Sequence, residues 1–168
     1  MDILIVDGYN MIGAWPELQK LRKKDFALAR SKLIDLLADY QAYTGVRVIV
    51  VFDAYIVKGT EKKQKNFHIE IIYTKEKETA DEKIEKLVLE LADKQTKVFV
   101  ATSDYMEQWT IFGQGAYRKS ARELYTEIKD IKRKIRKNLK EIREERPGSK
   151  IPLSKEVADF FEKFRRGE

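Results

Sequence analysis

The run VIVVF, residues 48–52, limits the fold more than any other feature of this chain. It is five apolar residues long, and the first four are β-branched. Successive side chains of a strand point to opposite faces, so a continuous apolar run is a strand covered on both sides. That pattern belongs to a parallel sheet between two helical layers. Three shorter runs read the same way, at residues 3–6, 68–73 and 98–101, and the 48–52 run extends back to residue 46. Helix-period segments lie between them. Residues 26–43 carry Leu33, Ile34, Leu36, Leu37 and Tyr40 on one broad face. Residues 82–94 carry Ile84, Leu87, Val88 and Leu91 at helical spacing. Strands alternating with helices predict an α/β fold with a mainly parallel central sheet. The link from Phe52 to His68 has no helical period.

Helix starts are marked by capping sequences. TADE (79–82) and SARE (120–123) are capping boxes, and SDYME (103–107) offers Ser103 or Asp104 as an N-cap. A long helix is predicted over 121–145, with Leu124, Ile128, Ile131, Ile135, Leu139 and Ile142 along one face. RPGSKIP (146–152) breaks it, and Ser154 caps a last helix carrying Val157, Phe160, Phe161 and Phe164. No internal repeat is visible. The expected organisation is a single domain over 1–168, with a core at about 1–125 and a basic helical extension at about 121–168.

Composition removes several chemistries. With no cysteine, the chain has no disulfide, no thiolate zinc site and no cysteine nucleophile. One histidine, His68, cannot supply a histidine pair for acid–base cleavage of RNA, nor a multi-histidine metal site. There is no transmembrane run and no signal-peptide pattern, so a cytoplasmic protein without a membrane partner is expected. The net charge of +6 favours polyanions, nucleic acid first. Gly113 and Gly115 lack the spacing of a phosphate-binding loop, so no nucleotide cofactor is expected.

The acids fall at telling places. The first strand ends on Asp7, within DGYN (7–10); the second ends on Asp53; the run VFVATSD ends on Asp104. Asp81 sits in the first turn of the TADE helix. In a parallel α/β sheet all strands end at one edge, and ligands bind in the crevice outside it. Each acid alone has an ordinary explanation: a turn for Asp7 and Asp53, an N-cap for Asp104, a dipole contact for Asp81. Together they predict a patch of like charge that calls for a cation. Carboxylates without His or Cys point to Mg²⁺ or Mn²⁺. Asn10 adds a donor and an acceptor without charge, and Gly8 is read as the turn that returns Asn10 toward Asp7.

DGYN, Asp53, TADE and TSD (102–104), in that order, resemble the NYN domain group of PIN-like metal-dependent ribonucleases. FDAYIVKG (52–59) and GAYRKSAREL (115–124) resemble further signatures of its bacterial YacP-like branch. The resemblance spans nearly the whole chain. It implies a PIN-like three-layer fold, Mg²⁺ or Mn²⁺, endonucleolytic cleavage of mRNA and action near translating ribosomes. It also implies that Asp7, Asn10, Asp81 and Asp104 form the catalytic site, with Asp7, Asp81 and Asp104 as metal ligands and Asp53 a further candidate ligand.

Basic segments flank that edge. Lys58, Lys62, Lys63 and Lys65 follow Asp53, with Tyr55 and Phe67 as possible base-stacking partners. Arg118, Lys119 and Arg122 surround a predicted helix start. These seven are the candidate RNA contacts; a solvated loop and a plain helix cap are the ordinary readings. The basic face of the 121–145 helix is either a solvated surface or a dock for ribosomal RNA. Two functions compete: a metal-dependent endoribonuclease, and a non-catalytic RNA- or ribosome-binding protein with an acidic pocket. A phosphatase or phospho-acceptor domain ranks below both, because DGYN lacks the second acid such sites place after the first strand.

Overall fold

The 48–52 run lies inside strand β2 (Arg47–Phe52), hydrogen-bonded to a parallel strand on each side and buried throughout that run. The computed structural model describes residues 1–54, 63–66 (backbone only), 69–104, 110–111, 113–145 and 165. Around β2 the described strands are β1 (Asp2–Asp7), β3 (Lys63–Asn66), β4 (Ile69–Tyr73), β5 (Lys97–Ala101) and β6 (Tyr117–Lys119). The described helices are α1 (Gly8–Ala14), α2 (Pro16–Lys24), α3 (Phe26–Thr44), α4 (Ala80–Leu91) and α5 (Ala121–Glu144). The sheet order is β3-β4-β2-β1-β5-β6. Five strands are parallel, and β3 alone runs antiparallel at the edge.

Alternation along the strands sorts the core into two layers. Ile3, Ile5, Ile49, Val51, Ile72, Val98 and Val100 form one cluster with Ala80, Ile84, Leu87 and Val88 of α4. Phe52 and Phe99 have the opposite parity. Phe52 meets Tyr9 of α1, and Phe99 lies under Lys119, whose ammonium pairs with Glu127 of α5. Tyr40 of α3 donates to the same Glu127 carboxylate at 3.0 Å. So α1, α3 and the start of α5 share the second face, which gives the expected three layers.

Local chemistry sets the element ends. Thr79 caps α4, its Oγ1 accepting from the Glu82 N–H at 3.1 Å, and Ser120 serves Glu123 in the same way at 3.1 Å. Gly45 closes α3 at φ 75°, a left-handed conformation that suits glycine. Pro16 opens α2, where its missing N–H costs nothing.

The structure differs from the expected pattern in a few places. The chain does not turn after Asp7: Gly8 starts α1 directly, and its φ is not positive. The glycine is required by space, since a Cβ there would stand 2.5 Å from Phe52 Cδ1 and 3.1 Å from Cζ. α1 and α2 are too short to show a period, and β3 is polar because it is an edge. β6 is three residues long, below any alternation signal. The predicted helix after Ser154 and the helix start after Asp104 lie outside the described residues. The chain divides into two compact units, Met1–Ile131 and Lys132–Glu168. The first holds the whole sheet. In the second, Leu139 and Ile142 on the end of α5 are about half exposed. Among the described residues, no helix is long and apolar enough to cross a membrane.

Candidate active site

Register brings the acids to one edge. Asp7 is the last residue of β1, the strand between β2 and β5. Its partner on β2 is Val51, so Asp53 lies two residues beyond that level. On the other side Val6 pairs with Ala101, which puts Thr102 level with Asp7 and Asp104 two residues past it. α4, with Asp81 in its first turn, follows β4 at the same edge. Asp7 shares the parity of Ile3 and Ile5, the stripe packed beneath α4. The apolar stripe therefore ends in a carboxylate, toward the layer that carries Asp81.

The charge on Asp7 is strongly disfavoured. The residue is only 8% exposed. Burial, and next the charge of Asp81, push its pKa up to about 7. The Asn10 N–H, donating to Oδ1 at 3.5 Å, works against the rise, while Asp104 and Asp53 add to it. All four acids thus act on one point in space.

Buried hydroxyls fix the segments that carry them. Thr74, fully buried after β4, donates its N–H to the Phe52 carbonyl at 3.0 Å. Its Oγ1 accepts from the Ala54 N–H at 2.9 Å, so Asp53 is held between two bonds to one residue. Thr102, equally buried, does the same beyond β5. Its N–H donates to the Lys119 carbonyl at 3.1 Å, and its Oγ1 accepts from the Asp104 N–H at 3.0 Å.

Asn10 ties the two sides together. The Ser103 N–H donates to its Oδ1 at 2.8 Å. A backbone N–H can only donate, so that atom is the amide oxygen, and the NH₂ group remains a donor. Ser103 Oγ in turn accepts from the Ala121 N–H at 3.3 Å, and the Trp15 indole donates to the Ala121 carbonyl at 2.8 Å. The Trp15 ring also stacks on Tyr125 at 5.4 Å. The ends of β1 and β5 and the start of α5 are joined in one circuit. Asn10→Ala should open it, costing about 0.5–1.5 kcal/mol for the lost bond, since water can take up the exposed Ser103 N–H. Asn10→Asp keeps the acceptor and adds a charge beside Asp7. The melting temperature in EDTA should fall for the alanine variant through the lost bond, and for the aspartate variant only above pH 7. Equal melting of both variants with wild type across that range would show that the circuit holds nothing.

The other candidates are placed as follows. Lys58, Lys62, Tyr55, Phe67 and His68 lie outside the described residues. Lys63 and Lys65 are on β3, whose Lys63 end pairs with Ile72 toward the carboxylate edge. Arg118 and Arg122 are at or near the surface around the start of α5. Lys119, also a candidate RNA contact, has a side chain that is 16% exposed and pairs with Glu127 at 2.9 Å. Thr74, Thr102 and Trp15 were not among the predicted site residues, and Ser103 was expected only as an N-cap. Only the threonines left a signal, as polar residues directly after an apolar run. Among the described residues, no three acidic side chains are gathered tightly enough to hold a metal ion directly.

Comparisons with known proteins agree with this fold. The family model described as YacP-like NYN domain matches residues 4–166. The uncharacterized protein YacP of Bacillus subtilis (strain 168) is 60% identical over 168 residues, covering 100% of this chain and 99% of the relative. The crystal structure of Rae1 (YacP) from Bacillus subtilis superposes with a TM-score of 0.78 at 60% identity, over 99% of this chain and 96% of that one. A crystal structure of a mutant of the same Bacillus subtilis protein gives a TM-score of 0.79 at 54% identity with the same coverage.

Proposed function

The chain belongs to the YacP-like NYN domain family, and on that premise we propose that it is a metal-dependent endoribonuclease that cleaves mRNA at the ribosome. The observation that carries the reading is the buried Asp7 carboxyl at the end of the central strand, on which the charges of Asp81, Asp104 and Asp53 converge. Family membership supports an RNA-related, nuclease-like role, and PIN-like nuclease domains generally use divalent metals.

The residues present fit Mg²⁺ or Mn²⁺. A carboxyl whose pKa is raised by burial, and next by like charges, gains from any nearby cation. The lack of a three-carboxylate cage among the described residues suits an ion that keeps several waters, binding through one or two carboxylates and the substrate phosphate. Asp7 and Asp81 would hold it, with Asp104 and Asp53 at the rim. Such an ion, when bound, supplies an activated water and neutralises charge on the phosphoryl group. The protein contributes placement. The Thr74 and Thr102 bonds fix the Asp53 and Asp104 backbones, and Asn10 offers its NH₂ to a phosphate oxygen. Direct attack by water predicts 5′-phosphate and 3′-hydroxyl ends.

The rival reading is an RNA- or ribosome-binding protein that does not cut. One experiment separates them. Labelled mRNA is incubated with the protein, with and without ribosomes, in Mn²⁺ or EDTA, and the ends are mapped. The nuclease reading expects new 5′-phosphate ends in Mn²⁺ that vanish in EDTA, with ribosomes raising the yield. Binding without new ends in every arm would establish the rival.

A further inference from the structure

We infer that Tyr9, Phe26, Arg30 and Tyr73 form a docking rim for one unpaired nucleotide of an RNA strand, Arg30 taking a phosphate and the aromatic rings taking the base. The inference rests on the nuclease reading and names the form of RNA that the site accepts.

The rim lies at the carboxylate edge, on the side of the sheet away from α4. Tyr9 follows Asp7 by two residues, and its ring meets Phe52 at 5.3 Å and Phe26 at 5.9 Å, both edge-on. Phe52 stacks on Tyr73 at 5.6 Å. Phe52 is fully buried, but Phe26 is 38% exposed, and Tyr9 and Tyr73 are partly so. The accessible rings therefore sit on a fixed base. Sequence-tolerant stacking of unpaired bases needs such a platform.

The cation is the second feature. Arg30 Nη1 donates to the Tyr9 hydroxyl at 3.3 Å, which among the described residues is the one hydrogen bond its guanidinium makes. Structural arginines are normally matched by a carboxylate in a two-point fork. Here a planar group with five donors is steadied by a neutral phenol, and a phosphate is the ligand that fits the rest. Asp53 lies between the two halves of the edge: it follows Phe52, whose ring meets Tyr9, on the strand that pairs with the one ending at Asp7. A strand with one phosphate among the acids can thus place a neighbouring nucleotide on the rim. Stacking on the rings needs a base whose face is free, which favours single strands.

The test measures binding in EDTA, where no cleavage occurs. A short fluorescein-labelled single-stranded RNA is titrated by anisotropy over a range of salt, beside the same strand annealed to its complement. Phe26→Ala should weaken single-strand binding about tenfold and leave the duplex alone. Arg30→Gln should reduce the slope of log affinity on log salt by about 0.7. Tyr9→Phe keeps the ring and frees Arg30, and should weaken binding less than Arg30→Gln. Unchanged affinity and slope in Phe26→Ala and Arg30→Gln, with melting temperatures equal to wild type, would overturn the rim. So would an equal loss on the duplex. A wild type that binds no single-stranded RNA overturns the rim, while the nuclease reading stands or falls separately on cleavage with ribosomes in Mn²⁺. The predicted binding losses, joined to absence of cleavage in Mn²⁺, would leave the rim standing and remove the nuclease.

Discussion

Asp7→Asn is expected to raise the melting temperature of the metal-free protein at pH 8, although it alters the centre of the site. The Asp7 pKa is raised from 3.8 to about 7, chiefly by burial and then by Asp81. Between those values the native state holds a proton that the unfolded chain has released. The Asp7 contribution to stability is therefore highest below pH 4, falls as the pH rises toward 7, and is flat above it. At ~1.4 kcal/mol per pH unit, the penalty at pH 8 reaches on the order of 4 kcal/mol at most. Asparagine removes the charge and caps a helix as well as aspartate, so the bond to the Asn10 N–H is kept in kind. Thermal melts in EDTA from pH 4 to pH 8 should show a wild-type slope that the variant lacks, with the variant several degrees higher at pH 8. A variant that melts lower across the range would make Asp7 an ordinary structural acid.

Gly8→Ala should lower stability by about 1–3 kcal/mol, against the sign that helix propensity gives. Alanine inside a helix normally gains up to ~1 kcal/mol over glycine. Here its Cβ would collide with the Phe52 ring, which is fully buried and wedged between Tyr9 and Tyr73. Crowding a packed core costs more than propensity returns. Relief must move Phe52 or tilt α1, and α1 carries Tyr9 and Asn10. A lower melting temperature with weakened RNA cleavage is the expected pair of results. A more stable variant with unchanged cleavage would show that Phe52 has room to turn.

What the sequence revealed, and what it hid, follows from the physics of each segment. Apolar runs with β-branched residues announced four strands, because a strand buried on both faces has few polar positions to disguise it, and β4 showed through despite the half-buried Glu70. Capping threonine and serine announced the starts of α4 and α5, and both make the expected bonds. Acids after apolar runs announced the edge, since a parallel sheet forces all those positions to one end. β3 and β6 were invisible because edge strands of three or four residues carry no alternation. The role of Gly8 was misread for a different reason. A glycine needed for a turn and one needed for clearance look identical in sequence, and only the position of Phe52 separates them. The Asn10–Ser103 bond spans 93 residues and rests on register between strands, which no local pattern encodes. Trp15 gave no hint that it reaches Ala121.

The most direct measurement is cleavage of one labelled mRNA, free and on ribosomes, by wild type and Asp7→Asn in Mn²⁺ and in EDTA. The acidic edge as a catalytic metal site predicts cleavage by wild type in Mn²⁺ alone. Loss of an outer-shell partner costs a metal site roughly 10- to 100-fold, and Asp7→Asn should lose more than that while still binding RNA. Cleavage by wild type in EDTA, or undiminished cleavage by Asp7→Asn in Mn²⁺, would contradict it.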